Sequence, residues 1–112
     1  SGSSHCSGSN VTILNVPPTG NPPLSFAWCA QYSGNNGGPI VTTTDGTADA
    51  IVWVPGAEGD NQLHGFNALT GAVVFSGSGT GMRGRHHYQT ILATTKRVYV
   101  AGDNKVFAFT WK

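Results

Sequence analysis

A chain of 112 residues with a formal charge of +1 has room for one modest domain core and lacks the global positive field that would gather nucleic acid. It also has no apolar run near the ~20 residues that a membrane helix needs. Charged residues make up only 10% of the chain, but 38% is apolar, clustered in short runs of Val, Ile, Phe, Tyr and Trp, which excludes a disordered polyelectrolyte and favours strands.

In chain order, residues 1–10 form a Ser/Gly-rich leader that reads as a linker or as the trimmed end of a longer protein. It holds Cys6. With Cys29 that makes an even count of two, and the surface-type composition favours a Cys6–Cys29 disulfide over two free thiols. Asn10-Val11-Thr12 matches the N-glycosylation acceptor triplet, a pattern common by chance. Strands are predicted over 11–16, 24–31, 39–44, 50–54, 62–67, 72–76, 88–94, 97–101 and 105–111. Between them lie turn signals such as Pro17-Pro18-Thr19-Gly20, Asn35-Asn36-Gly37-Gly38, Asp45-Gly46, Thr70-Gly71 and Gly102-Asp103-Asn104. No segment of helical length carries a 3.6-residue period with start and stop signals. The expected class is therefore all-β and antiparallel: a sandwich, a barrel or a propeller.

An internal repeat separates these. Ile51-Val52-Trp53-Val54-Pro55-Gly56 precedes Asp60-Asn61-Gln62-Leu63-His64-Gly65-Phe66, and Arg97-Val98-Tyr99-Val100-Ala101-Gly102 precedes Asp103-Asn104-Lys105-Val106-Phe107-Ala108-Phe109. Each copy reads as two strands joined by a tight turn that needs Gly or Asn at positive φ, with Ala57-Glu58-Gly59 as an insertion in the first. A strand precedes each copy, and Asn67–Phe75 adds a turn and an outer strand to the first. Four antiparallel strands in about 45 residues is the pattern of a propeller blade.

On these residues, with Leu69-Thr70-Gly71-Ala72-Val73-Val74-Phe75 after the first copy, the chain resembles the C-terminal blades of quinoprotein-like (PQQ-repeat) β-propellers over about 24–111. The resemblance implies about two four-stranded blades: strands of a partial or closing blade over 11–31, a complete blade over 39–76 and a second over 87–111, all within a domain of 11–112. The second blade lacks an outer strand, for which 24–31 is the expected donor, to its own molecule or to a neighbour. Two blades cannot close a ring, so open faces and edges would be completed by other copies or by a partner chain.

The expected function is thus an extracytoplasmic (secreted or periplasmic), non-catalytic scaffold for protein association, with Phe26, Trp28, Arg83, Arg85, His87 and Trp111 as contact residues. One alternative is a fragment of a PQQ-dependent oxidoreductase, with PQQ or calcium as cofactor; the resemblance assigns no catalytic residue to a numbered position. A further alternative is a carbohydrate-binding module that stacks sugars on an exposed Trp.

Other motifs have plainer readings. Gly79-Thr80-Gly81-Met82-Arg83-Gly84 matches G-x-G-x-x-G, but strand and not helix is predicted after it, so it reads as an inter-blade loop and not a dinucleotide site. Adjacent His86 and His87 point to opposite sides of a strand and would need His64 or His5 to make a metal site. Arg83, Arg85 and His87 could take an anion. Asp45, Asp49, Glu58 and Asp60 could bind calcium or do acid–base work, but they fall where turns ask for Asp. Acids set residues 1–82 at a formal −4, and the bases of 83–112 set that part at +5, so the two can attract one another within or between molecules.

Overall fold

The computed structural model describes residues 8–32, 35–57, 59–77, 81–82 and 90–111. They contain ten strands and no helix: β1 (Val11–Asn15), β2 (Ser25–Ala30), β3 (Asn35–Asn36), β4 (Ile40–Thr42), β5 (Ile51–Ala57), β6 (Leu63–Asn67), β7 (Val73–Ser76), β8 (Ile91–Ala93), β9 (Arg97–Ala101) and β10 (Val106–Thr110). Every pairing is antiparallel. The protein is all-β, and each of the nine predicted strands has its counterpart.

Three sheets result. β1 and β2 form a hairpin; β8, β9 and β10 form a three-stranded meander. Between them, in sequence, lies a middle sheet four strands wide, because β3 and β4 lie end to end on one edge of β5, followed by β6 and β7. The β3 contact was not legible in the Asn-Asn-Gly-Gly signal, which reads as a turn. β5 runs on through Pro55 to Ala57 and recruits it. Pro55 has no N–H to give, but its carbonyl accepts from Gly37 N at 2.9 Å, and a Cβ on Gly37 would collide with the Pro55 ring. A glycine is what lets the two backbones meet there.

Side-chain alternation makes the middle sheet two-faced. On one face Trp53 and Leu63 join Ile91, Val98, Val100 and Phe109 of the third sheet in the larger core, with Ile51 and Phe75 packed beside them. On the other face Val52, Val54 and Phe66 meet Val11, Ile13, Trp28 and Ala30 of the hairpin. The middle sheet is thus covered on both faces, with the hairpin and the third sheet at either end of a stack.

Local chemistry supports this packing. Trp53 crosses β6 at Gly65, where a Cβ would come within 2.9 Å of the indole; its Nε1–H donates to Thr42 Oγ1 at 2.8 Å. Trp28 lies over Gly71, which has φ +76° and whose Cβ would meet the ring at 2.8 Å, and its Nε1–H donates to the Ala68 carbonyl at 2.7 Å. Trp53 is buried and Trp28 half-buried, each with its polar handle satisfied.

Two expectations change. The turn of the first repeat copy uses positive φ at Asn61 (58°), but the second, closed by Gly102 N donating to Lys105 O at 2.8 Å, has no residue at positive φ. Without the inserted residues its four-residue loop closes as an ordinary turn. Second, the third sheet is not completed within the chain by 24–31: β2 pairs with β1 alone, and the inward side chains of the hairpin hold it against the far face of the middle sheet.

Candidate functional site

The third sheet has one covered face and one open face. Val98, Val100 and Phe109 point into the core. Their neighbours point the other way: Leu92 pairs with Tyr99 and Tyr99 with Ala108, while Val106 pairs with Ala101. Leu92 and Val106 are each 66% exposed. The repeat shows what this open face corresponds to. Aligning the two copies puts Tyr99 at the position of Trp53, Val106 at Leu63 and Ala108 at Gly65. In the middle sheet Trp53 and Leu63 pack against the following sheet, with Gly65 beneath the Trp53 ring, and Leu63 is 0% exposed. The third sheet presents the same large, aliphatic and small side chains, with Tyr99 half-buried and Val106 exposed among the described residues. Among the described residues, β10 is an edge strand of this sheet.

At the other end of the stack, Leu14 and Phe26 pair across the hairpin, outside the inner cluster, and are 42% and 40% exposed. The hairpin covers only part of the middle sheet. Beside it runs a groove of about 370 Å³ lined by Val11, Ile13, Pro39, Val41, Val52 and Val54.

The expected contact residues therefore separate. Phe26 lies exposed at the hairpin end. Trp28 makes its contacts within the chain, against Phe66 (ring centroids 5.9 Å) and Gly71. Trp111 follows β10 and packs edge-on against Trp53 (5.5 Å, 63°), at the rim of the larger core. Arg83, Arg85 and His87 lie outside the described residues, as do Cys6, His5, His86, Glu58 and most of the G-x-G-x-x-G motif. Cys29 is not a free thiol. Asn10 of the acceptor triplet uses its side-chain oxygen to accept from Tyr32 N at 2.8 Å.

Trp111 also lines a cleft where the middle and third sheets diverge. One part, about 330 Å³, is bounded by Asp49, Asn67, Val74, Phe75, Thr110 and Trp111. A second, about 340 Å³, shares Asp49 and Trp111 and adds Thr43, Thr44 and Thr95. Asp49 holds a positive φ of 51°, and its Oδ2 accepts from Thr44 Oγ1 at 3.0 Å. The loop before it is organised by Asp45, whose Oδ1 accepts from Ala48 N at 2.6 Å and Thr47 N at 2.9 Å. Those backbone bonds hold the Asp45 carboxyl below the usual range. Trp111 Nε1 is buried without a hydrogen-bond partner, a state that costs about 1–3 kcal/mol.

A third cluster was not foreseen. His64 Nε2 lies 2.7 Å from Asp60 Oδ2, and Asp60 Oδ1 accepts from Gln62 N at 3.0 Å. Asp60 is thus a turn residue, as its position suggests, and a hydrogen-bond partner of His64 as well. Tyr32 stacks on the other side of the imidazole at 4.3 Å. Burial, and then the negative charge of Asp60, push the Tyr32 hydroxyl up to about 12, so it stays protonated through the neutral range. The cluster clamps the chain after the hairpin onto β6; the i, i+4 spacing of Asp60 and His64 was its one trace in the sequence. Among the described residues, no three His, Cys, Asp or Glu side chains could share a metal ion, and no helix is long and apolar enough to cross a membrane.

No family model, curated protein or solved structure matches the chain.

Proposed function

We propose that this chain is an association module built from propeller-type blades of the PQQ-repeat kind, working outside the cytoplasm, and that the open face of its third sheet docks a blade-like sheet of a second copy. The observation that carries the reading is the register match of Tyr99, Val106 and Ala108 to Trp53, Leu63 and Gly65. The pattern that packs the middle sheet on the third recurs in the third sheet, where Leu92 and Val106 are each 66% exposed.

The occupant is another copy because the chain carries its own complement. The outer side of the hairpin, with Leu14 and Phe26, is the opposite end of the same stack. Residues 8–32 contain no Asp, Glu, Lys or Arg, so docking this end costs no charge desolvation. Contact of one end with the other is heterologous, and such contacts close into rings when the rotation allows. The Cys6–Cys29 disulfide belongs to the same proposal: it would tie the leader to the hairpin and stiffen that end.

Light scattering on the purified chain tests this. The wild type should weigh more than one chain, increasingly so with concentration, and Val106→Lys should return it to a monomer with an unchanged far-ultraviolet spectrum. A wild type that stays monomeric at every concentration, or a Val106→Lys variant that associates as the wild type does, would overturn it.

A further inference from the structure

We infer that the cleft beside Trp111 binds a neutral, polyhydroxylated ligand: a sugar residue of an oligosaccharide. This does not rest on the association reading, since the cleft lies between two sheets of one chain. Three observations carry it.

The first is composition. Among the described residues, no Lys, Arg or His lines either part of the cleft, and the single carboxylate is Asp49. The rim is hydroxyl-rich: Thr43, Thr44, Thr95 and Thr110 all open onto it. Such a rim suits a ligand that both donates and accepts hydrogen bonds in several directions, as sugar hydroxyls do.

The second is the aromatic wall. Phe75 and Trp111, both partly exposed, flank Trp53, which stands edge-on to each at 5.6 and 5.5 Å. A pyranose ring has an apolar C–H face and a polar rim. The cleft offers the matching halves, an aromatic wall and a ring of threonines, in parts of about 330 and 340 Å³, within the range of small-molecule sites.

The third is an unmet donor. Of the three indoles, Trp28 donates to Ala68 O and Trp53 to Thr42 Oγ1. Trp111 Nε1–H has no acceptor and is shielded from water, and its ring lines both parts of the cleft. A buried donor of this kind calls for an explanation; a ligand that turns the Trp111 ring toward the cleft would bring it a hydroxyl or ring oxygen as acceptor. Asp49 would accept from a second hydroxyl; its backbone, at φ 51°, is held by the loop that Asp45 organises.

The test uses the full chain, labelled with nitrogen-15, and the three indole N–H resonances. It is titrated with neutral trisaccharides of glucose, mannose, xylose and N-acetylglucosamine to tens of millimolar. At least one should move the Trp111 resonance downfield, as a new acceptor requires, while those of Trp28 and Trp53 stay in place. Asp49→Asn and the double variant Thr95→Val/Thr110→Val should each weaken that titration about tenfold or more, with the other two indole resonances reporting an intact fold. If no trisaccharide moves Trp111, or if the titration survives both variants unchanged, the inference is wrong. A shift produced by choline and by none of the sugars would also overturn it, since the cleft would then be a cation cage.

Discussion

The two copies of the repeat are nearly the same sentence in sequence and differ in what surrounds them. Among the described residues, β5–β6 is covered on both faces and β9–β10 on one. Trp53 and Leu63 sit at 0% exposure, while Val106, at the position of Leu63, is 66% exposed. The inward positions are equivalent: Val98, Val100 and Phe109 are as buried as Val52, Val54 and Phe66. The lesson is that the pattern encodes two faces per blade whether or not a neighbour is present. An aliphatic-aromatic-aliphatic strand makes one face from its branched residues and the other from its aromatic one. Among the described residues, the middle sheet meets a following sheet on its Trp53 face, and the third sheet has Leu92 and Val106 exposed on the matching face.

The sharpest way to break this comparison is to truncate the two equivalent aromatics. Trp53→Ala should cost about 3–5 kcal/mol, as for a large ring removed from a closed core. Tyr99→Ala, made in a Val106→Lys background so that copies are apart, should cost about 1 kcal/mol or less. Denaturant titrations of both variants decide it, and equal losses would mean that the third sheet is buried in the monomer.

The next largest effect concerns the small residues beneath those rings. Gly65→Ala places a Cβ 2.9 Å from the Trp53 indole and 3.1 Å from Phe75 Cβ, neither of which can withdraw from a packed core. A loss of about 1–3 kcal/mol is expected by the same titration. Ala108→Val, at the matching open position, should leave the stability of the separated monomer nearly unchanged and weaken association, because the added methyls fill the notch that a docked sheet would use.

A smaller effect sharpens the account of the hairpin's attachment. Tyr32 holds its proton more tightly when folded, up to about 12. Between its unfolded value near 10 and that value, the unfolded chain has lost a proton that the folded chain keeps. Its contribution is therefore full below pH 10 and lost as pH rises through 12. The stability difference between the wild type and Tyr32→Phe, followed from pH 9 to pH 12, should shift against the wild type with rising pH. A pH-independent difference would mean that Tyr32 is free in the folded state.

Much of this fold could be read before the structure. Strand alternation and turn chemistry located all nine expected strands, and the repeat separated the middle sheet from the third. What escaped was whatever depended on a long-range partner. β3 exists because β5 overruns its hairpin and Gly37 admits Pro55, and two asparagines give no sign of it. Met82, inside a glycine-rich loop that reads as surface, is fully buried between the sheets, with its N–H donating to Asn61 O at 2.6 Å. Trp28 looked like a contact for other molecules because an aromatic on a short strand carries no label saying which face it takes. The Asp60–His64 pair was hidden because turn chemistry alone accounts for an Asp there. Trp111 was picked out as an association contact, but its neighbours, Asp49 and the threonines, come from loops that meet only when two sheets pack.

The central claim is that the Tyr99 face is an interface awaiting its partner, and side-chain footprinting tests it most directly. Hydroxyl-radical labelling of Tyr99 and Leu92 is followed against protein concentration, with Val106→Lys as the reference. Labelling of both should fall as concentration rises in the wild type and stay constant in the variant, with Leu69, 86% exposed on the β6–β7 turn, unchanged in both. Labelling of Tyr99 and Leu92 that ignores concentration would contradict it.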